Sequence, residues 1–377
     1  MTVRPSFFES TRSRRIWWTL YCVLWLYRAL YSFVAQNVVS GLTSLGDSSR
    51  YQLGSEFELS GASTWTLSTA IADGLGLLLN YATGGSASLA NFVFQTIAFM
   101  GLVAFLRRVE PRGRLLVFGL LMTPSFTIWS SVAGKEALVV GALGFCIAYL
   151  IELFEGRGRL RLVYVVAITT IAIFKVHYVP AVGLILVGGY LQRFVRQRAL
   201  SVLLGAFIAL ALLIALQDTV GKLALQIVPH FAGQSGSRPA FWHDPSDVLI
   251  KAPEGMLQAF VGPTWQETSQ GFLRLAAFWE SIALILVMSF VMLRSALRAP
   301  LFSFWIAAFG VLLLLFATYP LGIMNGGSAI RYRTSYLPLL FFLTVVFMRL
   351  NWRPSTRREN VGEFLSSRLA STQSSQK

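Results

Sequence analysis

The sequence has few charged residues and few of the motifs that identify soluble enzymes. Only 13% of its residues are charged, whereas soluble domains carry roughly 25%. The two cysteines, Cys22 and Cys146, both fall inside apolar runs and indicate packing rather than a disulfide or a metal pair. There is no Walker motif, no HExxH, no GxSxG in a suitable context and no His/Cys metal spacing. These absences disfavour an ATP-driven mechanism and a zinc protease.

Long apolar runs are what the sequence does contain. Hydrophobic residues make up 55% of the 377 residues, and the mean hydropathy is +0.61. The runs are about 17 to 25 residues long, the length at which a helix spans a bilayer. The sequence therefore predicts an all-α integral membrane protein with about ten transmembrane helices. The predicted spans are 16–39, 86–106, 115–130, 137–151, 162–175, 178–192, 199–217, 272–293, 300–319 and 335–350.

The distribution of basic residues orients these spans. With both termini in the cytoplasm, the inner segments hold 22 of the 32 lysines and arginines, and the outer segments hold ten of the 17 acids. Such an inner excess is the usual orientation signal of membrane proteins. It predicts a multi-pass protein of the plasma (inner) membrane, with membrane lipids around it. The net charge of +15 then reflects topology, and the lack of a basic domain excludes a nucleic-acid partner.

We predict one polytopic domain over residues 1–353 and a disordered cytoplasmic tail over 354–377. Two polar outer loops, 40–85 and 218–271, interrupt the spans. The stretch from Trp65 to Leu79 is apolar but interrupted by Asp73, and it predicts an interfacial helix in the first outer loop. The chain shows no internal repeat, which disfavours an inverted-repeat transporter.

The first candidate motif, Gly46–Tyr51, follows the first predicted span. At the water–lipid boundary, Asp47 could act as a general base on an acceptor hydroxyl or as ligand to a metal on a phosphate. The alternative is an ordinary Asp-Ser turn after a helix. Two further acids, Glu56 and Glu58, follow closely; they could assist or be solvated loop charges.

The second motif runs from Pro124 through Ser131 to Gly134-Lys135-Glu136, in a predicted outer turn. Adjacent Lys135 and Glu136 at a membrane edge could bind a phosphate and orient a neighbouring group, because a helix N-terminus favours anions. In the alternative reading, Glu136 stabilises the helix N-terminus while Lys135 extends to water.

Two more motifs lie at predicted outer membrane edges. One is Lys175–Pro180, where His177 is one of only three histidines; it could bind a ligand or be structural. The other is Asn325–Arg333, where Arg331 and Arg333 follow a flexible Gly-Gly pair. Two guanidinium groups suit a phosphate or pyrophosphate clamp, the alternative being an Arg pair that faces lipid headgroups.

Two charged residues, Arg28 and Glu280, fall at membrane depth. Charged side chains there need a partner or a polar cavity. The sequence leaves open whether these two support the site or pair elsewhere.

With these motifs, the chain resembles the polytopic glycosyltransferases of the GT-C class and the surface-polysaccharide polymerases of the Wzy and EpsG type. The resemblance is carried by Gly46–Tyr51, Pro124-Ser125 with Trp129–Ser131 and Gly134–Glu136, and Ala329–Arg333 with Pro338. It implies transfer of a sugar or glycan repeat from a polyprenyl-(pyro)phosphate carrier to a glycan or lipid acceptor on the extracytoplasmic side, in assembly of the cell envelope.

Under this resemblance Asp47 is the acidic residue of the first outer loop, Arg331 and Arg333 hold the carrier's phosphate, and Lys135 helps them. Many GT-C members have two acids one residue apart in this loop. Here position 49 is serine and the nearest such pair is Glu56 and Glu58, so these two are candidate catalytic acids as well. The remaining candidate substrate-binding residues are Arg50, Tyr51, Glu136 and His177. No cofactor is implied with certainty, and a divalent metal is left open.

Two other functions compete with glycosyl transfer. A transporter or flippase of a lipid-linked glycan should carry several charges along a central pathway and have pseudo-symmetric halves. An O-antigen-type ligase is a close relative of the polymerases and would use similar outer-loop Arg and His residues.

Overall fold

Helices make up nearly all of the described chain. The computed structural model describes residues 11–42, 48, 51, 67–191, 198–231, 237–296 and 301–348. Within these ranges there is no β-strand, only one isolated bridge between Ser237 and Asn325. The prediction of an all-α protein is therefore confirmed. Asp47, Arg50, Glu56, Glu58 and the predicted tail 354–377 lie outside the described residues.

The helices are numbered here in chain order. They are α1 Thr11–Val34 (continued by a π-helical turn, Ala35–Val39, and Ser40–Leu42), α2 Leu67–Ala82, α3 Ala87–Leu106, α4 Pro111–Leu121, α5 Pro124–Trp129, α6 Lys135–Phe154, α7 Leu162–Phe174, α8 Val179–Leu191, α9 Arg198–Phe231, α10 Asp247–Ile250, α11 Ala252–Val261, α12 Phe272–Ala296, α13 Leu301–Ile323 and α14 Gly326–Met348. Short 3-10 helices cover Val176–Tyr178 and Gln266–Gln270.

Several of these helices could cross a membrane, as expected of a membrane protein. Five are long and apolar enough in the described chain. They are Ala87–Leu106, Lys135–Phe154, Val202–Pro229, Phe272–Leu293 and Phe304–Ile323. A sixth is added if the bent pair Leu162–Phe174 and Val176–Leu191 is one broken span. The five correspond to predicted spans, while the ten-span topology and its orientation stay a prediction.

Two predicted features differ locally from the helices observed. The predicted span 115–130 is divided into α4 and α5, because the residue before Pro124 is driven out of helical geometry. The predicted spans 162–175 and 178–192 meet at a bend of 117° at Lys175. This lysine has φ −142° and ψ 67°, which ends α7 and turns the chain.

The predicted outer loops are partly helical. A helix covers Leu67–Ala82, which confirms helical structure for the apolar stretch of the first loop, while its interfacial position stays a prediction. The second predicted loop begins at residue 218, but α9 continues to Phe231. Val220 and Ala224 on this extension are buried, so packing keeps the chain helical beyond the apolar run.

Helix α6 occupies the centre of the fold. Of its apolar window 89% is buried, against 11% for Val202–Pro229 in α9 and 22% for Phe272–Leu293 in α12. The helices α3, α7, α8 and α14 pack around α6. The polar residues at its N-terminus are consequently surrounded by protein.

Glycines allow α3 and α6 to approach closely. A Cβ added to Gly101 would lie 1.9 Å from the carbonyl oxygen of Gly141, and one added to Gly144 would lie 2.2 Å from the carbonyl carbon of Gly101. Small residues at such contacts let helix backbones meet in a membrane, where packing replaces the hydrophobic driving force.

We expect Gly101→Ala to destabilise the protein by about 2 kcal/mol or more, because the new methyl group collides with backbone that cannot move aside. Gly183→Ala in α8 is the matched control, since nothing lies within 4 Å of a Cβ there. Alanine favours helices over glycine, so the control should be neutral or stabilising. Thermal unfolding in detergent measures both. Equal unfolding temperatures for the two variants would contradict the contact.

Candidate functional site

A carboxylate at the N-terminus of α6 is the centre of a charged cluster. Glu136 is 4% exposed. Its Oε1 accepts a hydrogen bond from Arg331 Nε at 3.1 Å, its Oε2 accepts one from Arg331 Nη2 at 3.4 Å, and Lys175 Nζ lies 3.6 Å from Oε1. We call Glu136, Lys175 and Arg331 the Glu136 cluster. Formal charges leave these three side chains with one net positive charge.

Lys175 enters the cluster from the bend between α7 and α8. It is 5% exposed, and its ammonium also lies 4.6 Å from the centre of the Tyr332 ring, a favourable cation–π distance. His177 was the predicted site residue of this motif, and Lys175 was not among the predicted site residues. The available signal was a lysine at the edge of an apolar run, a position that is costly without a partner.

The other predicted residues of this motif lie beside the cluster. The ring of His177 packs edge-on against Tyr178, with centroids 4.9 Å apart, and the Tyr178 hydroxyl lies 2.7 Å from Ser335 Oγ. The Nε2 atom of His177 is buried, and no hydrogen-bond partner for it occurs among the described residues. His177 therefore lies near the cluster, and no contact between it and Glu136 is observed among the described residues.

The predicted first outer loop reaches the same place. Lys135 Nζ donates to Ser68 Oγ at 3.3 Å and to Thr69 Oγ1 at 2.8 Å, which ties α6 to the start of α2. A Cβ on Gly134 would lie 3.2 Å from Glu136 Oε2 and 4.0 Å from Ser48 Oγ. The residue that follows Asp47 in sequence therefore packs beside the Glu136 cluster.

Tyr51, another predicted site residue, is buried against α2. A Cβ on Gly76 would lie 2.7 Å from the Tyr51 carbonyl oxygen, so only glycine allows this approach. Tyr51 and Ser48, both buried, are the described parts of the first predicted motif. Through Ser48, the first motif reaches the N-terminus of α6, where parts of the other three motifs also meet.

Arg331 and Arg333 lie on different sides of α14 and have different partners. The expected flexible segment is the first part of α14, and residues two apart on a helix point to different sides. Arg331 binds Glu136, and 17% of its side chain is exposed. Arg333 is fully buried and donates to Phe260 O at 2.9 Å and Ser125 Oγ at 3.0 Å. A shared two-arginine phosphate clamp is not the arrangement observed.

The structure shows the partners of Arg28 and Glu280, the two charged residues that the sequence predicts at membrane depth. Glu280 accepts hydrogen bonds from the amide and hydroxyl groups of Ser125 and lies 3.8 Å from Arg333, which also donates to Ser281. Arg28 donates to the hydroxyl of Ser130 at 3.0 Å and to its carbonyl at 2.7 Å. No sequence pattern predicted the involvement of Ser281.

This second set of contacts forms a buried network around α5. Both its arginines are 0% exposed, and charges without water need such partners. Because α5 precedes the turn to Gly134, the network fixes the chain that carries Glu136. Its members support the cluster and leave Arg331 and Lys135, which are only partly buried, as the more accessible cations.

A cluster of this kind can hold an anion beside a membrane-spanning helix. The guanidinium of Arg331 is oriented by Glu136, and the N-terminus of α6 adds the partial positive charge of a helix end. No group of three His, Cys, Asp or Glu residues that could hold a metal ion occurs in the described ranges.

Comparison with known proteins gives no relative: no protein-family model, no curated protein and no solved structure matches this chain.

We expect Glu136→Gln to destabilise the protein by about 3 kcal/mol, because it removes the counter-charge of two cations held largely out of water. A second change, Lys175→Met, should restore part of the loss by removing one of those cations. Thermal unfolding in detergent measures both variants. Glu254→Gln, an exposed carboxylate on α11, is the control, and equal behaviour of Glu136→Gln and Glu254→Gln would contradict the role of the cluster.

Proposed function

We propose that this chain is a membrane-embedded glycosyltransferase. It moves a sugar or glycan repeat from a polyprenyl-(pyro)phosphate carrier on the extracytoplasmic face, in cell-surface polysaccharide or glycolipid assembly. The observation that carries the proposal is the convergence of parts of four polar motifs, distant in sequence, at the N-terminus of α6. A site at the end of an apolar helix lets the lipid tail of a carrier stay in the bilayer while its phosphate meets cations.

In this proposal Arg331 binds the carrier's phosphate, because it is the partly exposed guanidinium of the Glu136 cluster. Lys135, next to Glu136 in sequence and only partly buried, is a second phosphate ligand. Glu136 orients Arg331 and is also paired with Lys175, and neither Glu136 nor Lys175 touches the carrier. Arg333 is reassigned from phosphate ligand to structural support, since its donors are directed to Phe260, Ser125 and Ser281.

Asp47 is the proposed general base, which takes the proton of the acceptor hydroxyl as the new glycosidic bond forms. Its neighbour in sequence, Ser48, packs beside Gly134, the residue before Lys135, and this supports the choice of Asp47. Glu56 and Glu58 are the alternative acids. Arg50, Tyr51 and His177 remain proposed substrate contacts. The proposal neither requires nor excludes a divalent metal.

Transport of a lipid-linked glycan is the competing function. A transporter needs charges that face a central pathway, whereas Arg28, Glu280 and Arg333 have partners within the protein. This pairing favours chemistry at the helix ends over passage through the centre. A ligase would share the proposed site and differ in its acceptor.

Asp47→Asn should abolish the surface glycan while membrane abundance stays unchanged, because the amide keeps the shape of the side chain and cannot accept the proton. Glycan on intact cells and protein in isolated membranes are measured together. Asp244→Asn, at an exposed position in the 237–271 segment, is the control for loss of an acid. Normal glycan in the Asp47→Asn strain would remove Asp47 from the mechanism.

Arg331→Gln should weaken binding of a short polyprenyl phosphate, such as farnesyl phosphate, by about tenfold, the effect of losing roughly 1.4 kcal/mol of charge-assisted hydrogen bonding. Binding is measured on the full chain in nanodiscs. Lys222→Gln removes an exposed cation from α9 and should leave the affinity unchanged. Unaltered affinity in Arg331→Gln would mean that the arginine contacts only its protein partners.

A further inference from the structure

An arginine outside the Glu136 cluster connects the 237–271 segment to the beginning of α14. The amide of Arg238 donates to Met324 O at 2.8 Å, and its Nη1 donates to Ile323 O at 2.8 Å. Its Nε and Nη2 bind the two oxygens of Glu267 at 2.9 and 2.7 Å, and Nη2 also donates to Gly262 O. One side chain therefore joins the end of α13, the end of α11 and the Gln266–Gln270 turn.

The C-terminus of α11 is held by two arginines. The last carbonyls of a helix lack partners inside the helix, and here Arg333 donates to Phe260 O while Arg238 donates to Gly262 O. Gly262 has φ +83°, a conformation that glycine adopts most readily, and its amide closes the helix on Gln258 O. The Arg333 guanidinium thus attaches α11 to α14, and the Arg238 guanidinium attaches it to the end of α13, just before α14.

The 237–271 segment also packs directly on α14. Asn325, bridged to Ser237, accepts from the amides of Gly327 and Ser328 at 2.8 and 3.3 Å and so caps the helix. A Cβ on Gly326 would lie 3.2 Å from Pro263 Cα, and one on Gly262 would lie 3.0 Å from Ile330 Cγ1. One face of the first two turns contacts this segment, while Arg331 on another face binds Glu136.

We propose that Arg238, with Glu267, is a positioning residue that sets the first turns of α14 and thereby the direction of Arg331. Met324 lies two residues before α14 begins at Gly326, and Arg331 lies five positions further, about 7.5 Å along the helix, a length of helix rigid enough to transmit the constraint. The expected effect of Arg238 on carrier binding rests on the proposed function. Its expected effect on the order of the first turns of α14 does not.

The ion pair that anchors this arrangement lies outside the apolar spans and is largely shielded. The side chains of Arg238 and Glu267 are 10% and 13% exposed. Burial alone would raise the pKa of Glu267, but hydrogen bonds from Arg238 and from the Thr264 amide outweigh it and lower the pKa. The carboxylate therefore stays charged at neutral pH, where it orients the guanidinium.

The test uses the full chain in nanodiscs with Arg238→Gln. Hydrogen–deuterium exchange should become faster for the amides of 326–332, and the dissociation constant of farnesyl phosphate should rise by about fivefold, with the folded fraction at the assay temperature unchanged. Glu267→Gln, which removes only the anchor's charge, is the milder variant if Arg238→Gln does not fold. It should change both measurements in the same direction.

Asp247→Asn is the matched control. It breaks a different ion pair of the same segment, with Lys251 at 3.0 Å, that does not touch α14. Exchange in 326–332 and phosphate affinity should match the unmodified chain.

A double-mutant cycle separates positioning from general stability. If Arg238 acts through Arg331, Arg238→Gln should weaken farnesyl phosphate binding no further in an Arg331→Gln background. Full additivity, unchanged exchange in 326–332, or faster exchange with unchanged affinity would each overturn the positioning role. If the unmodified chain fails to bind farnesyl phosphate, the proposed function fails, and exchange alone then decides whether Arg238 orders α14.

Discussion

Glu136 is an ionised group that the packing of α6 has taken almost entirely out of water. A carboxylate in that position is costly unless cations and hydrogen-bond donors surround it. Arg331 and Lys175 meet the requirement, and they come from α14 and from the bend after α7. The need to pair the Glu136 carboxylate explains why segments far apart in sequence meet at the beginning of α6. It also explains why α7 ends at the bend that carries Lys175.

The buried network around α5 follows from the same constraint, namely that a charge kept out of water needs polar partners. Arg28, Glu280 and Arg333 are charges in an apolar surrounding, and each is directed to Ser130, Ser125 or a backbone carbonyl. Serines that interrupt an apolar sequence thereby serve as partners for guanidinium groups. The fold thus holds two polar layers: Arg331 of the first is partly exposed, whereas both arginines of the second are fully buried.

Long apolar runs in the sequence were sufficient to predict the helices that they form. The spans 86–106, 137–151 and 272–293 agree closely with α3, α6 and α12, because a long run without breakers has few alternatives to a helix in a membrane. The predicted loop ahead of the last span was wrong in its local structure. Gly326 and Gly327 suggested flexibility, but the Asn325 cap and contacts from the 237–271 segment keep the chain helical.

The candidate site could be predicted only in part, because local sequence patterns do not show which distant residues pair. Sequence could place Lys135, Glu136, His177 and Arg331 at helix ends, since position along a run is a local property. It could not show that Glu136 needs Arg331, because ion pairing between distant segments leaves no local pattern. The two arginines near the last span looked equivalent for the same reason, and only their positions on opposite sides of a helix distinguish them.

The pairing of Glu136 with Arg331 also limits the order in which the molecule can be assembled. The two residues are 195 positions apart, and Arg333 is 208 positions from Ser125. While the chain is being synthesised, α6 emerges long before the helix that supplies its main counter-charge. The contacts at the beginning of α6 can therefore be completed only once α14 has been made.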